Sequence, residues 1–295
     1  MLPSVANCNA TVDINSTLIF TPTGPPGKRS DIQNSRISSA RCHISQIYNM
    51  KRKKEVDDAA AGFTKMSKLA VIPQFEVIED ALDFLHSSFP SSAFTPSMRP
   101  VLLKSQLYAL INDRTSVDKQ LSQWQNASKI RLLKLEDETD ESVAFQLAED
   151  YRDSFRDICP TDDTLALYKR FSDFALNENR HLSVTKDSIL KQFSDKEISG
   201  LVQVGALTIR SVGVWWISSP VLGRFLRTYK AGQRELLTML RRKRFKELLL
   251  SDIIVRKSGK TVRLGHMFHV LAHIGAGTLI NVPTSSGELI RLRSG

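Results

Sequence analysis

The sequence predicts an α+β protein, mainly helical, with three small units in tandem after a disordered N-terminal segment. A helical apolar stripe followed by two strand-like runs occurs three times between residue 74 and the C-terminus. The residues before 74 show no sustained hydrophobic period. Hydrophobic residues make up 41% of the 295 positions and charged residues 24%, which is the composition of a globular protein.

The N-terminal segment, residues 1–73, is rich in Pro, Gly, Ser and Asn and is predicted to be disordered. Residues 1–49 hold only two acids, so an organelle transit peptide is an alternative interpretation. Met50 precedes a compact basic cluster, and a translation start there would make residues 1–49 dispensable. The cluster predicts a nuclear localisation signal formed by Lys51, Arg52, Lys53 and Lys54.

The first predicted unit, residues 74–148, contains three helical stripes and a hairpin. The stripes are Phe75, Ile78, Leu82 and Leu85, then Leu103, Leu107 and Leu110 after Pro100, then Val117, Leu121 and Trp124. Thr115 and Asp118 form a candidate capping box for the third helix. Strands are predicted over 130–135 and 143–147, and the acidic segment 136–142 joins them.

The second and third predicted units, residues 149–219 and 220–295, repeat the order of the first. Ser194 and Glu197 form a capping box before a helix that Gly205 ends, and strands over 207–210 and 214–218 follow. In the third unit, a stripe of Met267, Val270, Leu271 and Ile274 precedes strands over 278–282 and 288–292. Three helices followed by a hairpin are the plan of a winged helix, so we predict three winged-helix domains.

Positive charge is concentrated in residues 221–264. This window holds 13 Lys and Arg against 3 acids, whereas the whole chain holds 41 against 31, so the remainder is balanced. Apolar residues such as Phe225, Leu240 and Phe245 alternate with the cations, which predicts helices that bury one face and expose the basic one. A concentrated cationic surface favours binding of a polyanion.

The basic window therefore predicts nucleic-acid binding. The residues do not distinguish double-stranded DNA from RNA, and they fit a monomer or a weak homodimer. A solvated charged face, or a nuclear-import signal at 241–244, are the alternatives. The predicted DNA-binding residues are Arg224, Arg227, Arg241, Arg242, Lys243, Arg244, Arg256, Lys257 and Arg263. The first unit, whose segment 136–163 is acidic, is predicted to dock protein partners instead.

Other residue patterns give weaker evidence for a functional site. Trp215 and Trp216 could stack on bases, but strand spacing favours packing. His266, His269 and His273 share one helix face, and we expect them at the edge of the apolar stripe or beside a phosphate rather than on zinc. No metal site and no cofactor are predicted. The three cysteines have no zinc-site spacing, and no apolar run is long enough to cross a membrane.

Kinase chemistry has no motif in this sequence. G-x-G-x-x-G, His-Arg-Asp and Walker A strings are absent, and Asp173-Phe174-Ala175 is the nearest string to Asp-Phe-Gly. We therefore expect no enzyme. A protein kinase, and a scaffold whose basic face meets an acidic protein, are the competing hypotheses.

The chain resembles the serine/threonine-protein kinase 19 family, also called winged helix repair factor, over residues 75–295. The matching strings are Lys104-Ser-Gln-Leu-Tyr-Ala-Leu, Asp113-Arg-Thr, Gln120-Leu, Val204-Gly-Ala-Leu-Thr-Ile-Arg, Trp215-Trp216, Gly223-Arg-Phe, Glu247-Leu-Leu-Leu-Ser, Val262-Arg-Leu-Gly and Thr284-Ser-Ser-Gly. The resemblance implies a nuclear DNA-binding protein of three winged helices. The family's DNA-facing basic positions fall on Arg227, Arg241 and Arg256.

The resemblance also implies a pathway and partners. Members of this family act in transcription-coupled nucleotide excision repair. There they join stalled RNA polymerase II, the Cockayne-syndrome ubiquitin-ligase complex and TFIIH. We therefore expect a non-enzymatic adaptor in the nucleus that bridges these assemblies on DNA with little sequence preference.

Overall fold

The computed structural model describes residues 71–135, 143–158, 161–256 and 262–293, with residues 162–163 described in backbone only. These residues lie in the compact unit that spans 62–295. Several predictions fall outside the described residues: the disordered segment up to residue 70, the basic cluster Lys51–Lys54, the acidic segment 136–142 and Lys257.

The fold is mixed helix and sheet, as predicted, and its strands form three antiparallel three-stranded sheets. The first sheet has the order β1-β3-β2. Its region comprises α1 (Ile78–Ser87), β1 (Leu102–Leu103), α2 (Lys104–Leu110), α3 (Arg114–Asn126), β2 (Ile130–Lys134) and β3 (Val143–Leu147).

The second and third sheets repeat this strand order. The second region comprises α4 (Ala148–Arg156), α5 (Asp162–Asp173), a π-helical turn (Phe174–Glu178), β4 (Ser183–Thr185), α6 (Lys186–Ile189), α7 (Asp195–Gln203), β5 (Leu207–Ser211) and β6 (Val214–Ile217). The third comprises α8 (Leu222–Arg241), β7 (Glu247–Leu249), α9 (Leu250–Val255), α10 (His266–Gly275), β8 (Leu279–Thr284) and β9 (Gly287–Leu292).

The helix before each hairpin supplies the core, as its apolar stripe predicted. Leu121, Leu201 and Leu271 are all buried. Each of these helices leads into its hairpin, and in the second and third regions Gly205 and Gly277 make the exit with φ values of 79° and 72°. A left-handed residue at this position ends a helix, and glycine adopts it at little cost.

Two details of the prediction were wrong. Thr115 does not begin a capping box, because Asp113 is the N-cap of α3 and accepts from the amides of Thr115 and Ser116. The short strands β1, β4 and β7 were not predicted, since two or three residues carry no period. The capping box at Ser194 is confirmed, because its hydroxyl accepts from the Glu197 amide and the Glu197 carboxylate accepts in return.

The three sheet regions share one continuous apolar core. Helix α10 packs on α2, and the guanidinium of Arg114, the first residue of α3, donates to the Gly275 carbonyl at 3.0 Å. The first region contacts the second through Arg131, which donates to the carbonyls of Ala175, Asn179 and His181 at 2.6 Å each. The first region therefore packs against both of the others.

Candidate nucleic-acid interface

Helix α8 organises the basic window, and its sequence explains its orientation. Phe225, Leu236 and Leu240 on one face are fully buried. Arg227, Arg234 and Arg241 recur every seven residues and are all exposed. Seven residues are close to two helical turns, so these three cations form a stripe opposite the buried face.

A groove of about 870 Å³ runs beside the C-terminal half of α8. It brings residues from α8, from the turn after it and from the segment after α9 to one place. Its lining is basic, with Glu235 as the acid among the lining residues. The four cations that line it are Arg234, Arg242, Lys243 and Arg256. Three of them, Arg242, Lys243 and Arg256, are predicted site residues. The fold brings Arg256 to the other two although it is distant from them in the sequence.

These cations keep their charge available. Within the described part of the chain, none of the stripe or groove cations forms an ion pair with a carboxylate. By contrast, Arg291 of β9 does pair with Glu247, with its Nε 2.7 Å from the carboxylate. Cations that no carboxylate neutralises, gathered on one surface, produce a positive potential that reaches an approaching polyanion.

The other predicted residues lie around this groove with different contacts. The Arg224 guanidinium donates to the Ser97 carbonyl at 3.0 Å and lies over the Phe94 ring, so part of its donor capacity is already used. Arg244 lies over the ring of Phe245 at 5.2 Å. Arg263 is exposed just after the undescribed segment 257–261.

The structure corrects the prediction for two of the three histidines. His266, His269 and His273 are all buried, but His266 also lines the groove together with Arg256. Gly232 of α8 makes room for His269, because a Cβ at that position would overlap the imidazole. Burial lowers the pKa of His269 to about 3 and that of His273 to about 4. The imidazoles of His269 and His273 are therefore neutral at pH 7 and belong to the packing between α8 and α10.

Two further features of the sequence can now be placed. Trp215 packs against the core, as its strand spacing predicted, while the Trp216 ring is covered by Arg210 at 4.3 Å. Arg99, which precedes β1, approaches the carboxylates of Asp153 on α4 and of Asp157 just after that helix, at 3.1 and 2.7 Å. Part of the acidic charge of segment 136–163 is thus neutralised within the protein.

Sequence reasoning missed two residues of this surface. Arg234 was counted in the basic window but was not selected, although its seven-residue spacing from Arg227 and Arg241 would have identified it. Phe245 was predicted to be buried with the other apolar residues of the window, and this was wrong. Its side chain is 67% exposed, because it follows the end of α8 in a turn rather than on a helix face.

Among the described residues, no group of three or more His, Cys, Asp or Glu side chains could hold a metal ion. None of the helices described above is both long and apolar enough to cross a bilayer.

Comparison with known proteins follows the boundaries of this fold. A family model described as inactive serine-threonine protein kinase 19 matches residues 74–292. The chain is 35% identical to winged helix repair factor 1 of Xenopus laevis over 230 residues, which are 76% of this chain and 88% of that protein. It is also 35% identical to the proteins of that name from Mus musculus and Homo sapiens, over 72% of this chain and 84% of each of them. The chain therefore belongs to the inactive serine-threonine protein kinase 19 family.

Proposed function

We propose that this chain is a non-enzymatic winged-helix adaptor that binds DNA largely without sequence preference and acts in DNA repair. Each of the three sheets, with its helices, is in this proposal one winged-helix domain, with the bounds 74–148, 149–219 and 220–295. The observation that carries the proposal is the convergence of Arg234, Arg242, Lys243 and Arg256 on one groove beside the exposed stripe of α8.

The chemistry of this surface suits the phosphate backbone. Guanidinium groups bind phosphate through two parallel hydrogen bonds, and such contacts position a protein on DNA without reading its sequence. The side chains that read adenine through paired hydrogen bonds, Asn and Gln, are not among the groove residues. Backbone binding of this kind gives affinity that falls steeply as salt rises.

The repair role rests on the family. Relatives that share most of this chain carry the name winged helix repair factor 1, and the family description calls its kinase inactive. We propose that the chain works in the nucleus in transcription-coupled nucleotide excision repair. There it bridges stalled RNA polymerase II, the Cockayne-syndrome ubiquitin-ligase complex and TFIIH, and it transfers no phosphate.

The test is a salt titration of DNA binding. Fluorescence anisotropy would give the affinity of the full chain for two duplexes of unrelated sequence at several salt concentrations. Charge reversal at Arg241 and Arg256 together should weaken binding to both duplexes alike. Each lost phosphate contact lowers the slope of log K against log salt by about 0.9, so the double variant should lose roughly two units of slope.

A matched control separates this surface from total charge. Lys169 of α5 and Lys196 of α7 are exposed and lie outside the third region. Reversing both changes the net charge by the same amount and should leave most of the affinity and the slope unchanged. An equal loss in both double variants, or no DNA binding by the wild type, would contradict the proposal and favour the scaffold hypothesis.

A further inference from the structure

The turn after α8 exposes an aromatic ring within the densest group of cations in the third region. We refer to residues 242–246, whose sequence is Arg-Lys-Arg-Phe-Lys, as the basic turn. Phe245 is 67% exposed, and the four residues Arg242, Lys243, Arg244 and Lys246 around it are exposed as well. Leaving a Phe side chain in water costs free energy that burial elsewhere would recover.

The basic turn is held by backbone hydrogen bonds at both ends. The Lys243 amide donates to the Leu240 carbonyl, and the Lys246 amide donates to the Lys243 carbonyl, both at 3.0 Å. The Lys246 carbonyl in turn accepts from the Leu292 amide of β9 at 3.0 Å, and Lys246 has a φ of 55°. A non-glycine residue in this region is uncommon and persists where its surroundings impose it. Phe245 is thus fixed at the tip of an anchored turn.

We propose that Phe245 stacks on a base that is unpaired in a distorted or partly single-stranded duplex, while the cations of the basic turn hold the flanking phosphates. The inference rests on the proposed function, because the groove must first bring DNA to this surface. An exposed ring among cations is the combination that proteins use to bind single-stranded nucleic acid, and Phe is also a residue that enters opened base steps.

Charge alone would not give this preference. The groove cations recognise phosphates, which a regular duplex and a distorted one both present. In a regular duplex each base already stacks on its neighbours, so the Phe245 ring would have to break that stacking. An unpaired base has lost part of it, and stacking on the ring replaces what was lost. The Arg244 guanidinium lies over the ring, 5.2 Å from its centre, so the base would stack on the opposite face of Phe245.

The experiment compares two DNA duplexes that differ in one position. One is fully paired, and the other carries a single unpaired 2-aminopurine, whose fluorescence is quenched when it stacks. The full-length wild type should bind the bulged duplex roughly tenfold more tightly than the paired one. Binding should also quench the fluorescence of the 2-aminopurine. Phe245→Ala should keep the affinity for the paired duplex but lose both the preference and the quenching. Phe245→Tyr should retain both, because it keeps the ring.

A control variant removes an exposed apolar side chain elsewhere. Ile209 of β5 is 72% exposed and lies on the second sheet, so Ile209→Ala should bind both duplexes as the wild type does. If Phe245→Ala kept the preference and the quenching, or weakened binding to both duplexes equally, the stacking role would be overturned while DNA binding stood. A wild type that bound neither duplex would instead overturn the proposed function itself.

Discussion

At the scale of single residues, Arg131 shows how backbone carbonyls can hold the terminal nitrogens of a buried guanidinium in place of a carboxylate. Its side chain is 1% exposed, and its terminal nitrogens donate to three carbonyls within and just after the π-helical turn. Burial lowers the pKa of Arg131, since the charged form loses hydration. The carbonyl dipoles replace water around it, and the contact joins β2 to the second sheet region.

Replacing Arg131 by Met should therefore destabilise the protein strongly. Met fills much of the same space but leaves three inward-facing carbonyls without a donor, and we expect a loss of about 3 kcal/mol or more in the free energy of unfolding. Urea denaturation at pH 7 measures it. Arg227→Met, at an exposed position, should change the same quantity by no more than about 0.5 kcal/mol. Equal effects of the two substitutions would contradict this role.

The buried histidines make stability depend on pH. The pKa of His269 is about 3 when folded and near 6.5 when unfolded, so the unfolded chain binds more protons between these values. The stability that the buried neutral imidazole contributes is therefore full above pH 6.5, and it is lost as the pH falls below that value. Each such histidine contributes at most about 1.4 kcal/mol per pH unit. We expect the free energy of unfolding to fall between pH 7 and 5.5, and His269→Gln to reduce that fall.

His86 provides a control of opposite sign. Its ring nitrogen lies 2.7 Å from a carboxylate oxygen of Asp150, and this hydrogen bond raises the pKa of His86. Its contribution is therefore full below pH 6.5 and is lost as the pH rises through the folded pKa. His86→Gln should make the fall between pH 7 and 5.5 steeper. Urea denaturation at both pH values measures these changes. If His86→Gln and His269→Gln altered the fall in the free energy of unfolding in the same direction, the opposite pKa shifts of the two histidines would be refuted.

At the scale of elements, the crossing of α2 and α10 depends on the absence of a side chain. A Cβ at Gly275 would overlap the carbonyl oxygen of Ser105, so the two helices touch backbone to backbone. The Ser105 carbonyl belongs to a buried helix and cannot move aside without shifting α2. Gly275→Ala should therefore lower the free energy of unfolding by about 2–3 kcal/mol, measured by urea denaturation.

Gly200 in α7 tests whether this effect comes from the contact. Nothing lies within 4 Å of a Cβ built there, so Gly200→Ala adds only the helix preference of alanine. That preference should stabilise the protein by roughly 0.5–1 kcal/mol. The same substitution in two helices should thus have opposite signs. Loss of stability at Gly200 as well would mean that backbone preference, not the α2–α10 contact, controls both sites.

The elements that the sequence predicts well are those whose signal is local. Gly213 between two β-branched and aromatic runs indicated the second hairpin, and Ser194 with Glu197 indicated a helix start. Local chemistry also misled at Thr115, because Asp113 lies nearer the helix end and satisfies its amides first. The strands β1, β4 and β7 form only because β3, β6 and β9 offer them an edge, and that edge comes from distant residues.

At the scale of the whole molecule, the candidate interface was only partly predictable. Charge density located it, since 13 of the 41 cations lie in residues 221–264. The groove itself requires the turn after α8, which brings Arg256 beside Arg234 and Arg242. The burial of His269 depends on Gly232 across the helix pair, and the exposure of Phe245 depends on where α8 ends. None of these three features can be recognised from a fixed spacing of residues in the sequence.

The packing of the third sheet region on the first predicts that the third cannot fold alone. Phe268 of α10 packs edge-on against Phe89 of the first region, and the Gln106 side chain donates to its carbonyl at 3.4 Å. A fragment of residues 220–293 would expose this apolar face of α10. So small a unit buries too little surface to absorb that loss. We expect the fragment to show no cooperative thermal transition by circular dichroism.

The full chain should behave in the opposite way, because the core is continuous across these regions. Amide hydrogen exchange should give the same opening free energy for the slowest amides of α2 and α10, since neither helix can lose its packing while the other keeps it. Phe89→Ala, in the first region, should lower that value in α10 by as much as in α2. A fragment 220–293 that melted cooperatively, or a α10 unaffected by Phe89→Ala, would mean that the third region is independently stable.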